Sequence, residues 1–512
     1  MDTIEYQDRR QFFRQIMSLV VGTTVLPAFA MQSVSDNKID YALPPSNEKP
    51  WMVAYAGLNN DLPRTVLRLE GKLPKALTGT LFRNGPGQYS HGNQRYQHPF
   101  DGDGLIQKYQ IGEKGITHEA CFVQTEKYIV ERRAKRFTRT AYGTALNEAR
   151  PMTSADASNT ANTSVLLHRG ELLALWEGGS ATRMDPESLA TLGLKTWRND
   201  YAGMPFSAHP KAEADGTLWN FGVSGFVGIM CIYRISPLGE LLKAQTIKME
   251  NTVMIHDFAV TQNHLVFLLP PLVFDIDRVK AGHTIADSYV WRPELGMRVL
   301  VLDKATLDRA QWFELPPAFV FHIGNAWEKD GKIHLDYVAS PSAWWVMSGA
   351  TKLMQGEYQY SEAKRYMPRL AIAEFDLNSG SAVSSYIDLH AEFPTLNLRL
   401  IGQRHRKLYA TARVGGSDRP GFDAIASFDR DSGKSSVFHY GDDYLVEEHL
   451  FVPRSGGTRE DDGWLLGSAM DVKRKKMVLS VFDASRLADG PIVQGTMDRI
   501  APLGLHGIYV QS

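Results

Sequence analysis

Four of the fifteen histidines lie where an imidazole would be held away from bulk water. His209 sits in Pro-Phe-Ser-Ala-His-Pro, His256 in Val-Met-Ile-His-Asp-Phe, His322 in Ala-Phe-Val-Phe-His-Ile-Gly-Asn-Ala-Trp-Glu and His506 in Pro-Leu-Gly-Leu-His-Gly. Each follows an apolar pair or a small residue at the end of a strand-like run. Leaving an imidazole nitrogen unpaired in a dry site costs about 1–3 kcal/mol. A backbone carbonyl or a carboxylate answers that need for a core histidine. Four neutral rings converging on one point would instead hold a first-row transition metal. With no carboxylate among the donors, that metal keeps its full dipositive charge, unlike in a two-histidine, one-carboxylate site. Fifteen histidines offer many quartets, so spacing alone leaves both readings open. His91, His98, His118, His168, His283, His405 and His439 stand in polar company and read as surface or loop residues.

Bringing four such distant residues together requires a rigid, repeating scaffold. After about residue 50 the chain reads as short strands between turn residues, as in Gly170-Glu-Leu-Leu-Ala-Leu-Trp176, Asp215-Gly-Thr-Leu-Trp-Asn-Phe-Gly222 and His264-Leu-Val-Phe-Leu-Leu269. Asp330-Gly-Lys-Ile-His-Leu-Asp-Tyr337, Arg406-Lys-Leu-Tyr-Ala-Thr411 and Gly463-Trp-Leu-Leu-Gly467 continue the series. A polar turn, often Asp-Gly, feeding an apolar or alternating strand is the pattern of antiparallel sheets. Long helical periodicities are scarce, and 43 Gly and 25 Pro punctuate the chain. The expected class is all-β: barrel, sandwich or propeller. No exact internal repeat is visible, so blades, if this is a propeller, have diverged.

The 512 residues are 43% hydrophobic and 22% charged with a net charge of -1, which provides no basic field for nucleic acid. Two cysteines, Cys121 and Cys231, exclude a disulfide framework and a cysteine-rich metal site. They read as two separate buried thiols, with one bridge between them as the alternative. Residues 1–30 read as an export signal of twin-arginine type: Asp8-Arg-Arg-Gln-Phe-Phe-Arg14, an apolar run over 16–26, and Ala28-Phe-Ala30. The apolar run is too short to span a bilayer. Residues 31–49 then form a leader and 50–512 one domain. The expected location is periplasmic or exported, or cytoplasmic if the signal does not function.

Gly79-Thr-Leu-Phe-Arg-Asn-Gly-Pro-Gly87 followed by His98-Pro-Phe-Asp-Gly-Asp-Gly104 resembles the opening signature of the carotenoid cleavage oxygenase family. Ala161-Asn-Thr-Ser164, Leu172-Leu-Ala-Leu-Trp-Glu177, His256-Asp-Phe258, Asn325-Ala326, Glu392-Phe-Pro394, Phe451-Val-Pro-Arg454, Glu460-Asp-Asp-Gly463 and Gly504-Leu-His-Gly507 follow in the family's order. The resemblance covers about residues 50–512. It implies a seven-bladed β-propeller capped by a dome of loops and short helices, with one Fe(II) per chain bound by His209, His256, His322 and His506. It places Glu177, Glu392 and Glu448 behind the histidines, where a carboxylate accepting the Nδ1 proton leaves Nε2 for the metal. His449 stands where the family commonly has proline, and both it and His264 read as non-ligands. Thr163 matches a threonine that crowds one of two open metal positions, leaving one for O2.

The implied reaction is cleavage of a C=C double bond by O2 into two carbonyl products, with an apolar small molecule as substrate. The resemblance puts Trp176, Met254, Phe321 and Phe393 along an apolar tunnel. A carotenoid or apocarotenoid is the first reading. The alternative is a phenolic stilbene, with Lys127 and Tyr96 matching the pair that binds a phenol hydroxyl in stilbene-cleaving members. An isomerohydrolase on the same four-histidine site is a second alternative. The stretch 265–274 is either an apolar entrance patch touching a membrane surface or a buried strand and loop. Oligomeric state is not legible.

Overall fold

The apolar run His264–Leu269 is a strand whose residues 265–268 are at most 2% exposed, because both of its faces are covered. Strands packed on two sides lose the alternation of a half-buried sheet and read as continuous apolar runs. The computed structural model describes residues 49–150 and 153–512. The segment read as an export signal, and nearly all of the leader, lie outside these.

Seven antiparallel blades follow one another around a ring. Residues 79–122 with the terminal strand His506–Gln511 form the first, and Ser164–His168 to Thr191–Leu194 the second. The third runs from Lys211–Ala212 to Leu241–Lys248, and the fourth from Ala259–Val260 to Ala310–Leu315. The fifth and sixth share the long strand Ala382–Thr395, whose first part pairs with Arg369–Asp376 and whose end pairs with Lys407–Ala412. Tyr444–Pro453 opens the seventh. This is the expected seven-bladed β-propeller. Short helices such as Pro50–Tyr55, Glu126–Ala134 and Ala350–Met354 lie outside the blades.

An apolar cluster fills each gap between neighbours. Val266, Leu268 and Val299 of the fourth blade meet Ile333, Leu335 and Phe375 of the fifth, for example. Outermost strands face water and turn polar, as in Lys434–His439. Both ends of the described chain close the ring. Leu62–Val66 pairs along the outer edge of the first blade and Arg68–Gly71 along that of the seventh, while His506–Gln511 pairs with Gly79–Gln88.

The polar surroundings of His91, His98, His118 and His405 misled: all four rings are buried, at 8%, 0%, 0% and 2% exposure. Burial holds His98 and His118 at a pKa of about 3 and His405 at about 4, so these rings are neutral. Their polar neighbours are partners inside the protein. His98 Nδ1, for instance, accepts from the Phe100 amide at 3.1 Å, and His405 Nε2 pairs with buried Asp336 at 2.8 Å. His168 is half-buried, and His283 and His439 are exposed. Both cysteines are free; Cys231 is buried, whereas Cys121 is only half-buried.

A carboxylate also joins the fourth and fifth blades. Glu328 accepts from the side chains of Thr261, Asn263 and His264 and from the Asn263 amide. Burial alone would raise its pKa, but the bonds from His264, Thr261 and Asn263 bring it from 4.5 to about 2. A depressed carboxyl contributes stability that is complete above its unfolded pKa and fades as pH falls through the folded one. Glu328→Gln is therefore expected to lower unfolding free energy by about 1–3 kcal/mol at neutral pH. Denaturant midpoints should show that gap closing between about pH 4.5 and 2.

Candidate metal centre and substrate cavity

Each blade's first strand begins at the ring's centre, and each delivers one candidate site residue there. His506 is the first residue of its strand in blade one, and Thr163 precedes Ser164–His168 of blade two. His209, His256 and His322 stand just before the first strands of blades three, four and five. Glu392 and Glu448 lie within the strands that begin blades six and seven. Glu177 follows the second strand of blade two, Glu171–Leu175.

One potential ligand atom from each of His209, His256, His322 and His506 lies within 4.8 Å of all the others. His209 Nε2 is 2.9 Å from His256 Nε2, and His322 Nε2 is 3.0 Å from His506 Nε2. Two imidazole lone pairs repel at that separation unless a proton or a cation lies between them. Glu177 engages His256 Nδ1, Glu392 engages His322 Nδ1, and Glu448 accepts from His506 Nδ1 at 3.0 Å. With the Nδ1 protons of His322 and His506 held by carboxylates, and Glu177 against Nδ1 of His256, Nε2 carries the lone pair, the tautomer a metal needs. Among the described residues no carboxylate stands behind His209; its backbone amide donates to Ser207 Oγ at 3.2 Å.

Burial, reinforced by the other three rings and Lys211, pushes His209 well below the usual imidazole range. Burial also lowers His506, with Glu448 opposing. At His322 burial is outweighed by Glu392, and the value rises. Burial would raise Glu448, but His506, Arg83 and the Gly507 amide bring it down, so it is a carboxylate. Four nitrogen donors backed by three carboxylates fit a divalent first-row ion such as Fe(II).

A cavity of about 1460 Å3 with mostly apolar walls meets this cluster at His256, His322 and His506. Thr163, Trp176, Met254, Phe321 and Phe393 all line it. The Phe321 ring is 5.2 Å from that of His256, and the Phe393 ring 5.0 Å from that of His322. Phe393 holds a left-handed φ of 52°, unusual for a bulky side chain. Its amide donates to Glu392 Oε2 at 2.7 Å. The Thr163 hydroxyl donates to Asn162 Oδ1 at 3.2 Å, and Asn162 Nδ2 donates to the carbonyls of Phe100 and Gly102. A Cβ on Gly104 would lie 2.1 Å from the Ala161 carbonyl oxygen. The motif His98–Gly104 is thus the backing of the Thr163 loop.

Lys127 and Tyr96 are a correction: neither is among the residues that line the cavity. Lys127, 1% exposed, gives its ammonium to Asp103 at 2.8 Å and Glu131 at 3.1 Å. The Tyr96 hydroxyl donates to Glu131 at 3.0 Å. Two buried carboxylates claim the lysine, and helix Glu126–Ala134 carries both Lys127 and Glu131 on one face. Residues 265–269 form a buried strand, and only Phe274 of the stretch 265–274 lines the cavity. No helix among the described residues is long and apolar enough to cross a membrane.

Sequence reasoning missed Asp257, Lys211 and Arg83, which stand one step behind the histidines. Arg83, 0% exposed, donates to the Glu448 carbonyl at 2.9 Å and approaches Glu447 at 3.3 Å. Phe82-Arg83-Asn84-Gly85-Pro86 carries the family resemblance, which assigns Arg83 no role.

The family model described as retinal pigment epithelial membrane protein, RPE65, matches residues 55–511. The apocarotenoid-15,15'-oxygenase of Synechocystis sp. is 28% identical over 485 residues, 90% of this chain and 96% of that protein. Isoeugenol monooxygenase of Pseudomonas putida is 29% identical, over 86% of this chain and 94% of that protein. The crystal structure of cobalt-substituted Synechocystis ACO superposes with a TM-score of 0.82 at 27% identity, covering 90% of this chain and 98% of that one.

Proposed function

This chain is an oxidoreductase belonging to the RPE65, or carotenoid cleavage oxygenase, family, and on that premise we propose that it is an Fe(II)-dependent dioxygenase that splits a C=C bond of a carotenoid or apocarotenoid into two carbonyl products. The observation that carries this reading is the quartet of imidazoles within 4.8 Å at the wall of a large apolar cavity. His209, His256, His322 and His506 would hold the metal, which supplies activation of O2 when bound. Glu177, Glu392 and Glu448 fix the tautomers of three rings. Phe321 and Phe393 flank the cluster and hold an extended apolar chain against it while excluding water. The Thr163 side chain narrows the approach. No group need move a proton, and each of the three glutamates is already engaged with an imidazole of the cluster.

The cavity exceeds the roughly 300–1,000 Å3 of an ordinary small-ligand pocket, which favours a long polyene. The similarity to an isoeugenol monooxygenase supports a second reading, a phenolic stilbene or related aryl alkene. The test is mass spectrometry of products from a β-apocarotenal, a full carotenoid, resveratrol and a lignostilbene, incubated in air and without O2. Paired aldehydes from the apocarotenal in air only are expected. Aldehydes from the stilbenes alone would replace the first reading by the second, and conversion that persists without O2 would point to an isomerase on the same site.

A further inference from the structure

Asp257 adjoins His256, and its carboxylate ties together the chain segments that carry three of the four clustered histidines. It is 5% exposed. Oδ2 accepts from the amide of Ile323, the residue after His322, at 2.9 Å. Oδ1 pairs with Lys211, two residues beyond His209, at 2.8 Å and accepts from the Phe258 amide at 2.8 Å.

The peptide between His322 and Ile323 is held at both of its polar atoms. Its carbonyl accepts from Val338 at 2.9 Å within the blade, and its N–H is taken by Asp257 from the neighbouring blade. A peptide plane pinned on both sides fixes the direction in which the His322 side chain leaves the backbone. On the other flank the unit His209-Pro210-Lys211 has little freedom at its proline, so the ion pair at Lys211 also locates His209. Ser207 reinforces this join, its hydroxyl accepting from the His209 amide and donating to the His256 carbonyl at 3.4 Å. Glutamates 177, 392 and 448 orient rings, whereas Asp257 sets the spacing between the backbones that bear them.

We propose that Asp257, with Lys211 as its counter-charge, is a positioning residue that sets the relative placement of His209, His256 and His322 across three blades. This rests on the metal-site reading above. Removing a group that orients ligands typically weakens metal binding about 10- to 100-fold. Asp257→Asn keeps an acceptor for one amide but gives up the charge and the second strong acceptor. Lys211→Gln removes the charge from a side chain that is 18% exposed but leaves Asp257, 2% exposed, without its cation, so its metal-free melting serves as the folding control.

The experiment loads wild type and both variants with Co(II), records the visible absorption band, measures metal loss to a chelator, and melts the metal-free proteins. Asp257→Asn should release cobalt about 10- to 100-fold faster with an altered band while its metal-free melting stays close to wild type. Lys211→Gln should shift both readings less, in the same direction. An unchanged band and release rate in Asp257→Asn would overturn the role. So would a fall in metal-free melting large enough to match the metal loss in both variants, since that marks a general folding function. A wild-type chain that takes up no cobalt would instead overturn the metal site itself, and the positioning role with it.

Discussion

His322→Ala is expected to leave the protein without stoichiometric metal and to reduce O2-dependent cleavage by well over 100-fold. Loss of a ligand's partner already costs about 10–100-fold in metal affinity or activity, and loss of the ligand costs more. The ring does two jobs that separate by mutation. As a donor it shares the cluster with His506 at 3.0 Å, and as a partner it satisfies Glu392, which is 7% exposed. His322→Ala leaves that carboxylate buried without its imidazole, with the Phe393 amide as its remaining donor among the described residues. The metal-free single variant should therefore melt below wild type. Adding Glu392→Ala should recover much of that melting while metal content, measured by elemental analysis, stays near zero. Full metal occupancy in His322→Ala would remove this residue from the site. Glu392→Gln alone should fall between, with activity down by about 10- to 100-fold.

The strand-turn pattern carried the fold class, because two-sided burial writes itself as runs such as Leu-Val-Phe-Leu-Leu. Blade number and ring closure were not in that pattern. They depend on pairings such as His506 opposite Asn84, between residues at opposite ends of the chain, and came from the resemblance. The four histidines stood out through their apolar neighbours, which exclude water from the cavity wall. The same test failed at His98 and His118, whose polar neighbours are buried along with them. Glu177, Glu392 and Glu448 look like ordinary surface acids in sequence and gain meaning only where separate blades meet. Asp257, within His-Asp-Phe, carries no signal in sequence, because its partners at 211 and 323 are neighbours only after the ring has closed.

Lys127→Met should destabilise the protein by about 3–5 kcal/mol, the effect of removing one member of a buried ion pair. Burial opposes a charge on Lys127, but Asp103 and Glu131 outweigh it and hold the ammonium above its ordinary value. Without that cation, two carboxylates at 1% and 0% side-chain exposure face each other in a site with no water access. Tyr96 and the Thr138 amide still donate to Glu131, so Asp103 is the group left worse off. Lys127→Met with Asp103→Asn should accordingly regain stability in denaturant titrations. In enzyme that remains folded, KM should change little, and to the same extent for a β-apocarotenal and for resveratrol, because neither Lys127 nor Tyr96 lines the cavity. A variant of wild-type stability whose KM rises only for phenols would return this pair to the role expected from sequence. It would require the ammonium to leave two carboxylates for a neutral or singly charged phenol oxygen. The buried network argues against that exchange, since each carboxylate would then lose its counter-charge in a medium that solvates neither.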